Sequence, residues 1–325
     1  MMKFVPILLI LSIFAWDGKT PALAASNSPW NSLASTGKGS VRQLVTVGEN
    51  IYALNEQGQV LRLEKDEKSW TPLTQGLEIF SGAQAINLSA FQNVLYAFVR
   101  SSDGSKQDVF KLEGETWKGL NLPKQYLEWT DDIYASSRGF IIGKGSDSGA
   151  PSLLLVQTGQ SWKAREIPKD LRVRPGMLHP LYGISTDVFY LNPANKWKVL
   201  AKQWGQSAGE GEILEVGQDI YAGHDYAGLA LLKSNSQQWT LLKFPENCHD
   251  PSSMNLTGKT IYLKATCTTA DKEREKIFSF STTTQKWGEI ESPSPEAPLG
   301  PLLLKDSKLY LSTQGGGFYK LALNL

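Results

Sequence analysis

Ile51-Tyr52-Ala53, then Val60-Leu61-Arg62-Leu63, then Trp70-Thr71-Pro72-Leu73 is the stretch on which the chain turns. An apolar residue followed by tyrosine leads into an apolar strand, and a lone tryptophan opens the next one. The unit recurs along the sequence. Its tryptophans are Trp30, Trp70, Trp117, Trp162, Trp197, Trp239 and Trp287, at spacings of 40, 47, 45, 35, 42 and 48 residues. The apolar-tyrosine pairs form a second, offset series at Tyr52, Tyr96, Tyr134, Tyr182, Tyr221, Tyr262 and Tyr310.

A period in the low forties with strand-like content is the range of propeller blades. Within the first unit, Arg42 to Val47 reads as strand a, Ile51 to Leu54 as b, Val60 to Leu63 as c, and d starts at Trp70. The fifth repeats this with Glu212 to Val216, Ile220-Tyr221-Ala222, Leu229 to Leu232 and Trp239 to Leu242. The fourth is compressed, its inner strands falling between Leu171 and Ile184. Strands b and c are short apolar runs rather than strict alternations, as expected where neighbouring sheets cover both faces. The two series are out of phase at the ends. An orphan strand, Pro29-Trp30-Asn31-Ser32-Leu33, precedes the first unit, and the last unit stops after Gly317-Phe318-Tyr319-Lys320-Leu321 with no tryptophan strand. Joining them completes a seventh sheet. The expected fold is therefore all-β: a seven-bladed β-propeller closed by an N-terminal strand completing the last blade, so that no blade ends with its face in water. Each unit tryptophan then has a packing task, filling the wedge between adjacent blades.

The N-terminus reads as a targeting segment. Lys3 precedes an apolar run from Phe4 to Trp16, and Ala22-Leu23-Ala24 is an A-x-A cleavage pattern. Residues 1–24 are expected to be a signal peptide and residues 25–325 a single propeller domain, secreted or periplasmic. The run is too short to span a bilayer of roughly 30 Å, and no later stretch approaches about 18 apolar residues. Removing residues 1–24 takes away Lys3, Lys19 and Asp17, which lowers 33 basic and 32 acidic side chains to 31 of each. A neutral chain without a run of lysine or arginine argues against nucleic-acid partners and anionic lipid surfaces.

Blade four's DVFYLNPANKWKVL (Asp187 to Leu200) resembles the strand-turn-tryptophan half of a kelch motif, and IFSFSTTTQKW and VLRLEKDEKSW are similar. The glycine pair that closes strand b in kelch repeats is absent from every copy. The resemblance implies a kelch-like propeller, a fold that hosts enzymes, lectins and interaction scaffolds alike, and so brings no activity with it.

In a four-stranded meander the a–b and c–d turns share one face of the disc, and the b–c and d–a connections share the other. On the first face the turns are short and alike. The second is where the repeats diverge, and variable loops on a rigid ring are where binding is expected. It is read as holding Arg100 to Gln107, Ser136 to Ala150, Gln203 to Gly211, Gly223 to Gly228, Glu246 to Pro251 and Ala265 to Glu275. The candidate ligand-binding residues are Arg100, Arg138, Trp204, His224, Asp225, Tyr226 and His249. His224-Asp225 could set an imidazole beside a carboxylate, the orienting pair of a general base or metal ligand, but reads first as a surface turn with no catalytic role. His224 and His249 have no spacing motif between them, so no metal site is expected. G-x-S-x-G, H-E-x-x-H, a P-loop and G-x-G-x-x-G opening a helix are all missing, so no catalytic residue and no cofactor is expected.

Cys248 and Cys267 are the two cysteines, and an even pair in an exported chain points to a disulfide. A tight turn at Gly258-Lys259 sets Cys267 opposite Asp250, so the bridge requires Pro251 to bend strand a. Asn87-Leu88-Ser89 and Asn255-Leu256-Thr257 match glycosylation sequons but fall on inner strands, where no glycan fits. The expected function is a non-enzymatic scaffold whose variable face binds another protein or a cell-envelope component. A carbohydrate-binding, lectin-like propeller is the alternative, and an enzyme with a site near His224-Asp225 a third.

Overall fold

The computed structural model describes residues 29–37, 39–78, 80–128, 130–136, 139–144, 151–158, 161–167, 172–174, 182–184, 188–191, 197–201, 212–224, 228–236, 238–245, 247–269, 272–294 and 297–323. After a two-residue strand, β1 (Asn31–Ser32), the strands fall into sheets in chain order. The first holds β2 (Val41–Val47), β3 (Asn50–Asn55), β4 (Val60–Leu63) and β5 (Trp70–Pro72). The second holds β6 (Gln84–Phe91), β7 (Val94–Arg100), β8 (Gln107–Glu113) and β9 (Thr116–Gly119), and is followed by a short helix, α1 (Lys124–Leu127). The third comprises β10 (Thr130–Ser136), β11 (Gly139–Lys144), β12 (Leu153–Thr158) and β13 (Ser161–Glu166), and the fourth β14 (Arg172–Arg174), β15 (Tyr182–Ile184), β16 (Val188–Leu191) and β17 (Trp197–Ala201). The fifth is built from β18 (Ile213–Val216), β19 (Asp219–His224), β20 (Gly228–Leu232) and β21 (Trp239–Leu242), and the sixth from β22 (Cys248–Thr257), β23 (Thr260–Thr269), β24 (Lys272–Ser281) and β25 (Lys286–Ile290). In the last, β26 (Leu299–Lys305), β27 (Lys308–Thr313) and β28 (Phe318–Ala322) are joined by β1, with Asn31 opposite Lys320 and Ser32 opposite Tyr319.

Every sheet is antiparallel, and the first strands of several neighbouring sheets lie side by side. β2 lies against β6 and β26, β6 against β10, and β22 against β18 and β26. The apolar runs of the middle strands are buried on both faces because a sheet covers each of them. β20 is buried along its whole length.

The tryptophans close the gaps between sheets. Trp117 packs with Tyr52, Leu54 and Leu73 of the preceding sheet, and its indole N–H donates to the Leu73 carbonyl at 3.0 Å. Trp70 sets its ring edge on Phe318 at 5.0 Å and donates to the Ala34 carbonyl at 3.0 Å. Trp30 packs among Tyr262, Ile277 and Leu321 and donates to the Glu291 carbonyl at 2.7 Å. In all three cases the accepting carbonyl belongs to the connection that enters the tryptophan's own sheet. An indole with its N–H paired can be buried whole, which is what a wedge needs.

A second repeated device ties the inner strands together. Gln43 donates through Nε2 to the Leu88 carbonyl and accepts the Leu88 N–H, both at 2.8 Å. Asn87 does the same to Ile133, at 2.6 and 3.2 Å. Both residues stand four places before the end of their strand, just after a bulge that shifts the register between Val41 and Gln43 and between Ala85 and Asn87. Asp132 and Glu212 hold the same position in the third and fifth sheets. In the sixth sheet Asn255 bridges the Leu302 carbonyl at 3.1 Å and the Leu304 N–H at 3.0 Å. Asn87 and Asn255, the sequon asparagines, are each 7% exposed and spent on these bonds.

One strand assignment needs correcting. Ile133-Tyr134-Ala135 has the look of a b strand, but it lies in β10, the inner strand. The true b strand is β11, whose Phe140 takes the tyrosine's place, edge-on to Tyr96 at 5.2 Å and tilted on Trp162 at 5.6 Å.

Candidate functional site

The sixth sheet departs most from the repeat. Its first three strands are each ten residues long, whereas the strands of the first sheet have seven, six, four and three. The extra length lies at the b–c end, where β23 and β24 stay paired as a hairpin out to Thr269 and Lys272. Cys248 and Cys267 staple it to β22 through a disulfide of 2.06 Å. Both sulfurs are buried, with residue exposures of 8% and 1%.

The two cysteines are directly opposed, not offset by two residues as the turn at Gly258-Lys259 would have them. Two bulges account for the difference. Near the turn Asn255 pairs with Tyr262; beyond the first register shift Ser252 pairs with Lys264, and beyond the second His249 pairs with Thr266. Each shift advances β22 by one residue, which converts an Asp250–Cys267 pairing into Cys248–Cys267. Asp250 and Ser253 take up the bulges with φ of 51° and 52°. Pro251 sits between paired positions, where its missing N–H costs no ladder bond.

The bulged strand is gripped from the fifth sheet. The Glu212 carboxylate accepts the Ser253 N–H at 3.1 Å and also the Met254 N–H. A carboxylate can only accept, so it suits a bulge that frees two successive N–H groups, whereas the amides at this position grip one N–H and one carbonyl. Gly223 completes the fit. A side chain there would come within 3.1 Å of Pro251 Cγ and 3.4 Å of Met254 Sδ. On the other flank, Lys264 is buried and donates to Glu275 at 3.1 Å and to the Leu299 carbonyl at 3.2 Å, while Glu275 accepts the Leu299 N–H at 2.6 Å. This ion pair holds the entry to β26 as an amide would.

His249 therefore lies on a rigid mount. Its Nδ1 is 2.9 Å from Asp250 Oδ2, and its Nε2 is 4.0 Å from Glu273 Oε1. Lys272, Glu273 and Arg274 are exposed at the tip of the hairpin. Among the described residues no group of three His, Cys, Asp or Glu side chains is placed to hold a metal ion.

The other candidates separate. Arg100 serves the fold: its guanidinium donates to the Thr130 carbonyl at 2.7 Å and lies 5.6 Å above the Phe98 ring. Gln107 donates to the Leu127 carbonyl at 2.6 Å, and Lys144 to those of Tyr126, at 2.6 Å, and Glu128. Burial holds the Lys144 ammonium below its usual range. Asp108 accepts the N–H groups of Val109, Asn121 and Leu122, and burial nevertheless pushes its carboxyl above the usual range. Together these four side chains fix the connection between the second and third sheets. His224 ends β19 opposite Gly228, on the connection face. Its side chain, with Arg138, Trp204, Asp225 and Tyr226, lies outside the described residues. The link between Ser136 and Gly139 joins β10 to β11 and is an a–b link, where a b–c connection was expected; the misread Tyr134 strand is the reason. Sequence reasoning missed Glu212, Lys264 and Glu275, although Glu212 shares the Gln43 position in the repeat.

Antiparallel four-stranded sheets repeated along the chain, with the indoles of Trp30, Trp70, Trp117 and Trp287 packed against the preceding sheet, define a β-propeller-like, all-β protein. No family model matches the chain, and no curated protein matches it. Among solved structures it is similar to virginiamycin B lyase from Staphylococcus aureus, with 11% identity, 90% of this chain and 99% of that one covered, and a TM-score of 0.62. It is also similar to an extracellular domain from B. thetaiotaomicron assigned to a hybrid two-component system, with 10% identity, 91% and 43% covered and a TM-score of 0.66. A third is PorZ, a surface component of the type-IX secretion system of Porphyromonas gingivalis, with 13% identity, 91% and 38% covered and a TM-score of 0.58. Identities this low speak for the fold and not for activity. Among the described residues no helix is long and apolar enough to cross a membrane.

Proposed function

We propose that this is an exported seven-bladed propeller, closed by its N-terminal strand, that binds another protein or a cell-envelope component through its connection face. The observation that carries the binding reading is the stapled hairpin of β23 and β24, held by the disulfide, the Glu212 clamp on β22 and the Lys264–Glu275 pair, with Lys272, Glu273 and Arg274 exposed at its tip. Rigid mounts that expose charged tips suit recognition, because little conformational freedom is lost when a partner settles on them. The lyase activity named for one similar structure is not carried over, because 11% identity speaks for the fold alone.

Closure is supported by a bond that recurs between consecutive sheets. Arg62 of β4 pairs at 2.9 Å with Glu115, in the c–d turn of the next sheet. Lys320 of β28 pairs in the same way with Glu67, in the c–d turn of the first sheet. Export is supported by the leader-like residues 1–24 and by the buried disulfide.

A photo-crosslinking residue at position 273 tests the binding reading, with position 286 on the outer strand as control. Specific adducts with envelope components from 273 and not from 286 are expected. Equal labelling from the two positions, or none from 273, would contradict it.

A further inference from the structure

We propose that residues 29–37 are an exchangeable latch, and that the slot they fill is a binding site for an extended, tryptophan-bearing segment, which a second copy of this chain can supply. The inference rests on the closure reading above and adds to it. Closure alone requires only that the latch be in place.

The slot is built by residues outside the latch. Tyr262, Ile277, Leu299, Leu302 and Leu321 form the pocket around Trp30, and the Glu291 carbonyl receives its N–H. Beyond the indole, Phe318 O accepts the Leu33 N–H at 2.8 Å. Gly316 O accepts both the Thr36 N–H, at 3.1 Å, and the Ser35 hydroxyl, at 2.8 Å. Gly316 can only be glycine there, since a Cβ would lie 2.3 Å from the Gly37 carbonyl. This is strand addition to a sheet edge with one pocket for a large aromatic, a mode by which proteins bind extended peptides.

Three features make the occupant exchangeable. β1 pairs through two residues only, whereas the outer strands of the other sheets pair through three to six. Two buried hydroxyls without a hydrogen-bond partner, Thr36 Oγ1 and Ser312 Oγ, belong to the latch and to β27 of the sheet that receives it. A buried polar group left unpaired weakens the packing around it. Gly37 and Gly39, with φ of 88° and 117°, supply a hinge between the latch and β2. Exchange conserves every latch contact, since each copy gives and receives the same segment, so concentration and hinge conformation decide the balance.

Two variants of the full chain that each add one cysteine to the Cys248–Cys267 pair, Asn31→Cys and Lys320→Cys, test this when mixed and oxidised, because these positions are directly opposed. A disulfide between copies whose yield rises with concentration is expected, and it should vanish when Lys118→Cys replaces Lys320→Cys. If the double variant Asn31→Cys/Lys320→Cys cross-links within one chain but the mixed variants never join between copies, closure stands and exchange is overturned. If neither cross-link forms, closure falls and exchange with it. As a second measurement, a labelled peptide of residues 29–37 should bind the full-length Trp30→Ala variant at least tenfold more tightly than wild type, by fluorescence anisotropy. Replacing the peptide's tryptophan with alanine should abolish that binding; equal binding of both peptides would refute the pocket.

Discussion

Trp117→Ala removes the wedge between the first and second sheets, and its cost can be worked from the structure. The residue is 2% exposed, so nearly the whole indole is transferred from water on folding. An indole buries roughly 150–250 Å², which at about 25 cal/mol per Å² is at most about 4–6 kcal/mol. Truncations of this kind in cores cost about 3–5 kcal/mol. The buried Leu73 carbonyl also loses its donor, which moves the cost toward the upper end. At about 2–4 °C per kcal/mol for a domain of this order, the melting temperature should fall by about 6 °C or more. Differential scanning calorimetry measures it, with Leu241→Ala as control: Leu241 is 48% exposed, and its loss should change stability by no more than about 0.5 kcal/mol. If Trp117→Ala melts with wild type, or the control falls as far, the tryptophan repeat is not what packs the sheets.

Three further outcomes follow from the same geometry. Asn87→Ala strands the buried N–H and carbonyl of Ile133, at roughly 1–3 kcal/mol for each group left unpaired, and urea unfolding should show the loss. The Cys248–Cys267 bridge should survive dithiothreitol in native buffer and reduce only with denaturant, as read by alkylation and mass spectrometry; its removal should cost about 3 kcal/mol for a loop of this size. Glu67 is partly buried, which raises its pKa, but hydrogen bonds from Lys320 and Tyr310 outweigh that and hold its carboxyl below the usual range. The stability it contributes is complete above the ordinary carboxylate pKa and is lost as pH falls through the lowered value. The acid limb of a stability–pH curve should therefore flatten in Glu67→Gln.

The repeat was legible because tryptophan does the same work at several boundaries, those of Trp30, Trp70, Trp117 and Trp287. The apolar-tyrosine series was less secure. Position 134 misled because an inner strand can carry Ile-Tyr-Ala while a phenylalanine, Phe140, fills the wedge. The disulfide partners followed from counting, but their register did not. Bulges at Asp250 and Ser253 leave no periodic trace, and a two-residue error results from assuming an unbroken ladder. The clamps at Gln43, Asn87 and Glu212 were written in the repeat as a polar residue four places before the end of the inner strand. A single polar side chain in a strand does not announce what it grips, because its partner lies on the next sheet, some 45 residues away for Gln43 and Asn87 and about 40 for Glu212.

Ring closure is tested most directly by the double variant Asn31→Cys/Lys320→Cys in one chain. On oxidation of dilute protein, peptide mapping should find residues 31 and 320 joined in nearly every molecule. If those cysteines stay free under conditions where Asn31→Cys/Lys118→Cys also stays free, the amino-terminal strand does not lie on the last sheet, and the closed ring is wrong.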